Sequence, residues 1–244
     1  MTWANRFRLL LGLIVVVAIA LGATLVLSQR ETEVASKSAS IEAISYSVGS
    51  EYAGTVIDEK AKVGDPVKAG QVLITIQSAS LLTALKSKTA VQSTSAYTVS
   101  TSGALALLAA EPGIVSKLGA QVGGFVSAGS SIETIDRANS LFVRAHFTLD
   151  AYDFSRIRNG ASVDLILPNQ QMLSGRVSKI HVTTTAAGLA DASIEVHSSQ
   201  LQRGTHNGLV TPGTPISATL HLRDNGPLSG LKASFITLLR QIGL

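Results

Sequence analysis

GTVIDEKAKVGDPVKAGQVLITI, from Gly54 to Ile76, is the stretch that decides the fold, because the chain contains it twice. The second copy, GIVSKLGAQVGGFVSAGSSIETI from Gly113 to Ile135, aligns without a gap at an offset of 59 residues. Ten of the 23 aligned positions are identical, where about two are expected by chance. Repetition at a fixed spacing indicates that two copies of one structural unit pack together.

Each copy reads as strand, turn, strand, turn, strand. In the first copy, apolar side chains that can line one side of short strands are Val56, Val63, Val67, Leu73 and Ile76. Glycines that suit the turns of the two copies are Gly54, Gly64, Gly70, Gly113, Gly123 and Gly129. Neither copy is long enough to bury both faces, so we expect the two to close a flattened β-sandwich. Val63 and Val122 should then occupy equivalent buried positions, where a change to Asp costs several kcal/mol.

The amino-acid composition excludes several classes of functional site and of partner. The chain has 244 residues, a formal net charge of +4 and no cysteine. The lack of cysteine excludes a disulfide framework, a thiolate zinc site and a cysteine nucleophile. Aromatic residues make up only 5% of the chain and its basic residues are scattered, so we expect no nucleic-acid partner.

A long apolar stretch, LLLGLIVVVAIALGATLVL from Leu9 to Leu27, predicts an N-terminal transmembrane helix, because its length nearly matches the roughly 30 Å hydrocarbon core. Arg6 and Arg8 precede it, so residues 1–8 should form a cytoplasmic stub and the rest of the chain should lie outside. The alternative is a cleaved signal peptide. Its apolar region would be shorter, and Val26-Leu27-Ser28 matches a cleavage site poorly.

The remaining chain is mostly β in texture. Residues 28–45 read as a linker or a first loose strand. The connection 77–103 includes a short helical piece near Ser80–Gln92, and residues 137–223 predict a small antiparallel β-barrel. The barrel's strand-like segments are Leu141–Thr148, Ala161–Leu167, Met172–Thr183, Ala192–His197 and Ile216–Leu222. Thr148 or Asp150 can cap a brief helix after the first of them.

Residues 224–244 open with a strong stop, Asp224-Asn225-Gly226-Pro227, and continue as an amphipathic helix. This helix either docks on the barrel or lies at the membrane surface or against a transporter, and the remaining alternative is that the segment is disordered. In the second case, the side chains that would make the contact are Leu231, Lys232, Phe235, Leu238, Leu239 and Arg240.

No pattern of catalytic residues is legible. The histidines lack metal-ligand spacing, and those on strand segments, His146, His197 and His221, are expected on solvent-exposed strand faces. Carboxylates are scattered, and no nucleophile elbow, dinucleotide fingerprint or phosphate-binding loop occurs. We therefore expect a non-enzyme with no catalytic residue, no metal site and no cofactor.

The repeated pattern also resembles a known family. G-x-V…V-G-D-x-V-x-x-G-Q-x-L at Gly54–Leu73 is similar to a biotinyl/lipoyl half-motif, and a second half-motif lies at Gly113–Ile132. Two halves split by an insertion behind one membrane anchor resemble the periplasmic adaptors, or membrane fusion proteins, of the hemolysin-secretion (HlyD-like) class. Segments similar to the family's later strands follow at Ser140–Ala145, Ser174–Ile180 and Val210–Leu222. The resemblance covers about residues 9–223.

The resemblance implies a split lipoyl-like β-sandwich (barrel-sandwich hybrid) at 46–76 plus 104–136, followed by the β-barrel. It implies an adaptor subunit of an efflux or secretion transporter, anchored in the cell membrane by a single pass. Its bulk would be periplasmic or extracellular. Its partner would be an inner-membrane transporter, with an ATP-driven (ABC) permease the first choice, and its assembly a homo-oligomeric ring. The alternative is a cell-envelope binding or signalling module whose β-domains hold a glycan or protein ligand.

Two departures from the family stand out. The family inserts a long helical hairpin between the lipoyl halves, whereas Gln77–Gly103 is Ser/Thr-rich and too short for more than two helices of about 15 Å. The docking hairpin is therefore shortened or missing. Carrier domains also place a modified lysine between the halves. Lys86 and Lys88 lie there in Leu-Lys-Ser-Lys-Thr, a context that does not match the carriers, so we expect no covalent cofactor.

Overall fold

The computed structural model describes residues 32–87, 92–184 and 189–223, together with Gly12 and Val16. This part of the chain is mainly β, as expected. Its helices are α1 (Ala79–Lys86) and α2 (Ala151–Ser155). Its strands are β1 (Glu33–Ala35), β2 (Ser38–Gly49), β3 (Gly54–Glu59), β4 (Pro66–Val67), β5 (Val72–Gln77), β6 (Tyr97–Val99), β7 (Ala104–Leu108), β8 (Gly113–Leu118), β9 (Phe125–Val126), β10 (Ser131–Leu149), β11 (Ser162–Ile166), β12 (Met172–Thr184), β13 (Ala190–His197) and β14 (Pro215–His221).

These elements form two compact units. The lipoyl-like unit runs from Glu42 to Leu141, and the barrel unit combines the described residues up to Ile41 with those from Phe142 onward. Both divisions fall inside a strand, since β2 and β10 each contribute residues to both units.

The lipoyl-like unit contains a five-stranded antiparallel sheet in the order β6-β7-β5-β3-β9. Strand β8 pairs with β4 on one side and with the first part of β10 on the other. Apolar side chains from both repeats form one core. Its fully buried members include Val56, Leu73, Ile74, Ile76, Leu81, Leu105, Leu107, Val115, Ile132 and Ile135.

Strand pairing repeats with the same 59-residue offset as the sequence. Gly54 of β3 pairs with Val126 of β9, and Gly113 of β8 pairs with Val67 of β4. An irregularity also recurs, because β3 skips Ile57 against β5 just as β8 skips Ser116 against β10. The two copies therefore adopt one conformation, and the repeat prediction is confirmed.

In the barrel unit the strands pair in a ring. The antiparallel order is β14-β11-β12-β13-β10, and β2 closes it by pairing with both β10 and β14. Strand β1 precedes β2 on the same edge of β14, opposite β11. The five predicted segments match β10 to β14. The cap of the short helix is Asp150, whose side chain accepts a hydrogen bond from the Asp153 N–H at 2.7 Å.

The prediction of a linker at residues 28–45 is wrong for its described part. Residues 33–35 and 38–49 form β1 and β2, so the alternative of a first strand holds. Ala39 and Ile41 are buried, at 6% and 0% exposure. The segment resembles a linker because serine and alanine make up half of β2, so its few buried apolar residues give little hydrophobic signal.

The cytoplasmic stub 1–8 and the C-terminal segment 224–244 lie outside the described residues. So does the apolar stretch 9–27, except for Gly12 and Val16. Among the described residues, no helix is both long enough and apolar enough to cross a membrane.

The predicted burial of Val63 and Val122 is also wrong. The two residues are equivalent, but both are 58% exposed. Each lies in a turn just before a glycine with positive φ, Gly64 or Gly123, where the strand alternation no longer determines which way a side chain points. The other four apolar positions predicted to line the strands of the first repeat are buried, namely Val56, Val67, Leu73 and Ile76.

Two Val-to-Asp substitutions test this assignment. Val56→Asp buries an unpaired carboxylate at a position with 1% exposure and should reduce the free energy of unfolding by about 4 kcal/mol. Val63→Asp, at an exposed turn, should change it by less than about 0.5 kcal/mol. Urea unfolding of the full chain in detergent measures both. Equal losses for the two variants would contradict the observed burial.

Candidate functional site

The two copies of the repeat are interlocked by reciprocal hydrogen bonds. The Gly64 N–H donates to the Val115 carbonyl at 2.8 Å, and the Gly123 N–H donates to the Val56 carbonyl at 2.8 Å. Gly64 and Gly123 have φ of 96° and 87°, a conformation that favours glycine. Each copy thus presents its turn to a strand of the other copy.

Further reciprocal bonds extend this interlock. The Val115 N–H donates to Asp65 at 3.1 Å, and the Val56 N–H donates to Gly124 at 2.9 Å. The second turns repeat the arrangement. The Gly70 N–H donates to Ala109 and the Gly129 N–H to Ser50, both at 2.8 Å. Neither copy can satisfy its turn groups alone, so the pair is the structural unit.

Gly54 and Gly113, predicted at turns, instead begin strands β3 and β8. A Cβ on Gly54 would collide with the Gln77 carbonyl oxygen, and one on Gly113 would collide with the Asp136 carbonyl oxygen. These glycines are needed because two backbones approach closely. The other four predicted turn glycines have positive φ and lie in turns, as expected.

The turns carry exposed apolar side chains. Val63 and Val122 are 58% exposed, Phe125 is 71% exposed, and Ile57 on the adjacent strand is 49% exposed. Phe125 pairs with Thr55, so it lies beside the outward-facing positions of β3. The lipoyl-like unit therefore presents apolar side chains at its surface, which is typical of contact surfaces.

Glu133 is a buried carboxylate in the same unit. Its side chain is 1% exposed, and neither carboxylate oxygen has a hydrogen-bond partner in the described part of the chain. Burial and, to a smaller extent, the nearby charge of Glu59 raise the pKa of the Glu133 carboxyl from 4.5 to about 7. Glu133 was missed by the sequence analysis. Its alignment with Ile74, which is fully buried, is the signal that could have revealed it.

In the barrel unit, the outer face of β10, β13 and β12 carries paired charges. Glu195 forms ion pairs with Arg144 and Lys179, each at 3.5 Å, and these residues line a groove of 550 Å³ with His181. Both cations share one partly exposed carboxylate, so these ion pairs contribute little to stability.

The histidines show no arrangement for catalysis. His146 and His197 are exposed on strands, as expected, whereas His221 is only partly exposed and its Nε2 lies 2.8 Å from Asp164. Among the described residues, no group of three or more His, Asp or Glu side chains could hold a metal ion.

The two ends of the described chain lie side by side in the barrel unit. Strand β1 pairs with β14, and the Leu222 N–H donates to the Thr32 carbonyl at 2.7 Å. The segment that precedes Thr32 and the segment that follows Arg223 therefore leave the barrel at neighbouring positions. Predicted contact residues Leu231, Lys232, Phe235, Leu238, Leu239 and Arg240 lie outside the described residues.

Solved structures of other proteins share this architecture. ZneB from Cupriavidus metallidurans is 18% identical, with a TM-score of 0.57, over 79% of this chain and 99% of that one. MacA from Actinobacillus actinomycetemcomitans is 12% identical, with a TM-score of 0.55, over 79% of each chain. A MacA–MexA chimera carrying the MexA α-hairpin domain of Pseudomonas aeruginosa is 14% identical, with a TM-score of 0.55, over 79% of this chain and 83% of that one.

The chain has the fold of the membrane fusion proteins. The resemblance in the repeat pattern is thereby confirmed at the level of fold. No family model matches the sequence, and no curated protein matches it either. At identities of 18% and below, the shared property is the fold of the membrane fusion proteins rather than any one member's substrate or partner.

Relative to a membrane fusion protein with an α-hairpin domain, the described connection here is short. It contains α1, whose eight residues span about 12 Å, and the strand β6. Ser78 caps α1 by accepting a hydrogen bond from the Leu81 N–H at 3.2 Å, and Leu81 is buried in the core. The helix is therefore attached to the lipoyl-like unit, and only residues 88–91 of the connection lie outside the described part.

Alanine substitutions distinguish the two roles of glycine in this membrane fusion fold. Gly113→Ala should destabilise the protein by about 3 kcal/mol, because the added methyl meets the Asp136 carbonyl oxygen and forces two backbones apart. Gly123→Ala meets open space and should cost only about 1 kcal/mol, the strain of a positive φ. Thermal unfolding compares them, and a larger loss for Gly123→Ala would contradict the close approach at Gly113.

Proposed function

We propose that the chain is a membrane-anchored extracytoplasmic adaptor subunit of an efflux or secretion transporter. It makes or breaks no covalent bond, and it assembles with a membrane permease, with an ABC permease as the first candidate. The observation that carries the proposal is the interlocked pair of lipoyl-like repeats joined to a closed barrel. This is the fold shared with ZneB and MacA, and the role of an adaptor comes from that likeness.

Membrane anchoring is the second part of the proposal. The apolar stretch 9–27 spans the membrane with residues 1–8 in the cytoplasm, and both β units lie on the outer side. Strand β1 begins at Glu33, only six residues after Leu27, so the barrel unit is held close to the membrane surface. An extended chain of this length covers about 20 Å at most.

Residues 228–244 are the proposed second contact with the membrane or the permease. Leu222 is bonded to Thr32, so this segment leaves the barrel beside the chain that leads to the anchor. Its apolar residues recur mostly every three or four positions, and Lys232 and Arg240 can reach anionic headgroups. A segment starting there is within reach of the same surface that holds the anchor.

Truncation after Asn225 tests the adaptor role and this contact together. Full-length protein purified in mild detergent should bring down a membrane permease, identified by mass spectrometry. The truncated protein should keep its β units folded, with unchanged circular dichroism, but recover several-fold less permease. A Phe235→Ser/Leu238→Ser double variant removes two apolar side chains of this segment and should also recover less permease. Thr237→Ala, in the same segment, is its matched control and should leave permease recovery unchanged.

The recovery experiment distinguishes the adaptor role from the role of a cell-envelope binding module. Equal recovery by the truncated and full-length proteins would overturn the role of residues 228–244 while leaving the adaptor proposal intact. Recovery of a glycan or a cell-wall enzyme in place of a permease would favour a cell-envelope binding module and would overturn the adaptor role.

A homo-oligomeric ring is the proposed assembly. The two copies share an exposed turn valine, Val63 in one and Val122 in the other, but just after the turn Pro66 in the first copy is replaced by Phe125 in the second. Contact between unlike surfaces of neighbouring subunits is head-to-tail, and it closes a ring when the rotation permits. The exposed apolar side chains give such a contact a surface to bury.

Cysteine cross-linking tests the ring, and the chain has no cysteine of its own. A Val63→Cys/Phe125→Cys double variant, treated with a short bifunctional maleimide, should give a ladder of oligomers. Either single variant should give dimers at most. Met172→Cys, at a 64% exposed site of the barrel unit, is the control for random collision and should give no ladder. Monomers alone from the double variant would refute a ring built on these turns.

A further inference from the structure

Glu133 breaks the symmetry of an otherwise repeated core. Its counterpart Ile74 is fully buried among apolar side chains, and Glu133 is 1% exposed in the equivalent position. Opposite Glu133 on β8 lies Leu118, and the counterpart pair is Ile74 with Glu59. Nothing in the adaptor role uses a carboxylate at this place.

We propose that the second repeat is a proton-operated latch: Glu133 is protonated while the start of β10 is closed on β8, and its ionisation loosens that end. The proposal does not depend on the adaptor role. It rests on a carboxylate that is almost wholly buried, has no hydrogen-bond partner among the described residues and replaces an isoleucine of the other repeat.

The charges that face Glu133 do not stabilise its ionised form. From β8, the paired residue is the apolar Leu118. From β3, Glu59 contributes a like charge. Lys60, the residue after β3, is paired with Asp58 at 2.7 Å. An ionised Glu133 therefore gains solvation only when water reaches it.

The direction of the pH effect follows from the raised pKa, about 7 in the folded chain against 4.5 for an exposed carboxyl. Closure is fully stabilised below pH 4.5, weakens as the pH rises towards 7 and changes little above that. No histidine lies between Glu42 and Leu141, so histidine titration within this unit does not overlap that range.

Loosening should be local. The Gly119 N–H donates to the Ile132 carbonyl at 2.6 Å next to Glu133, and the equivalent bond in the first repeat joins the Lys60 N–H to Leu73 at 2.7 Å. The first repeat has Ile74 at the critical position, so it should not respond to pH. The first repeat therefore serves as an internal control for the effect of pH on the second repeat.

Amide hydrogen exchange of the full chain in detergent, corrected for the intrinsic effect of pH, tests the latch. Protection at Gly119 and in residues 131–136 should fall about 50-fold between pH 5 and pH 8. Protection at Lys60 and in residues 72–77 should stay constant. An equal fall in both repeats, or none in either, would overturn the proposal.

Three variants complete the test. Glu133→Gln keeps the shape and removes the charge, and Glu133→Ile introduces the residue of the first repeat. Both should abolish the pH dependence at Gly119. Ile74→Glu should create a similar dependence at Lys60. A pH dependence that persists in Glu133→Gln would assign the effect to another group and refute the latch.

Discussion

Backbone hydrogen bonds between a turn in one repeat and a strand in the other are the interaction on which the lipoyl-like unit depends. The Gly64 and Gly123 amides bond to Val115 and Val56, so each copy completes the other. This arrangement requires both copies but places few demands on the chain between them. Loop-closure entropy grows only slowly with length, so a connection of 27 residues and a much longer insertion can join the same halves. The short connection here is compatible with an intact unit for that reason.

Much of the fold was predictable because the repeat specifies it twice. Identical glycines and valines at a constant offset required equivalent conformations, and alternation such as Leu141/Val143/Ala145/Phe147 gave the first barrel strand. The failures occurred where that periodicity stops or is weak. Val63 continues a strand pattern into a turn. In β2, Ile41 is buried but Ile44 is 47% exposed, so the apolar residues do not mark one face of the strand. Burial at such positions is decided by tertiary contacts that neither propensity nor spacing contains.

Glu133 is the clearest case in which burial could not be predicted from the strand pattern. A glutamate between Ile132 and Thr134 in a strand is ordinarily read as facing solvent, because alternation places polar residues outward. Alternation fails here, because the adjacent residues Ile132 and Glu133 are both buried. The equivalent pair Leu73 and Ile74 is also buried, and there β5 skips Leu73 in its pairing with β7. Only the comparison with Ile74 could have suggested burial from sequence. A repeat is thus more informative as a pair than either copy is alone.

The positions where the two copies differ are the ones free to acquire a function. Identical residues, such as Gly54 and Gly113, hold the shared geometry and cannot vary without separating backbones. Phe125 replaces Pro66 at an exposed turn, and Glu133 replaces Ile74 in the core. A perfectly symmetric unit would present two identical surfaces to every partner. The proposed head-to-tail ring and the proposed recognition of a single permease both require unlike surfaces. Of the two substitutions, only the exposed Phe125 can make the surfaces of the two copies differ, whereas Glu133 changes the core.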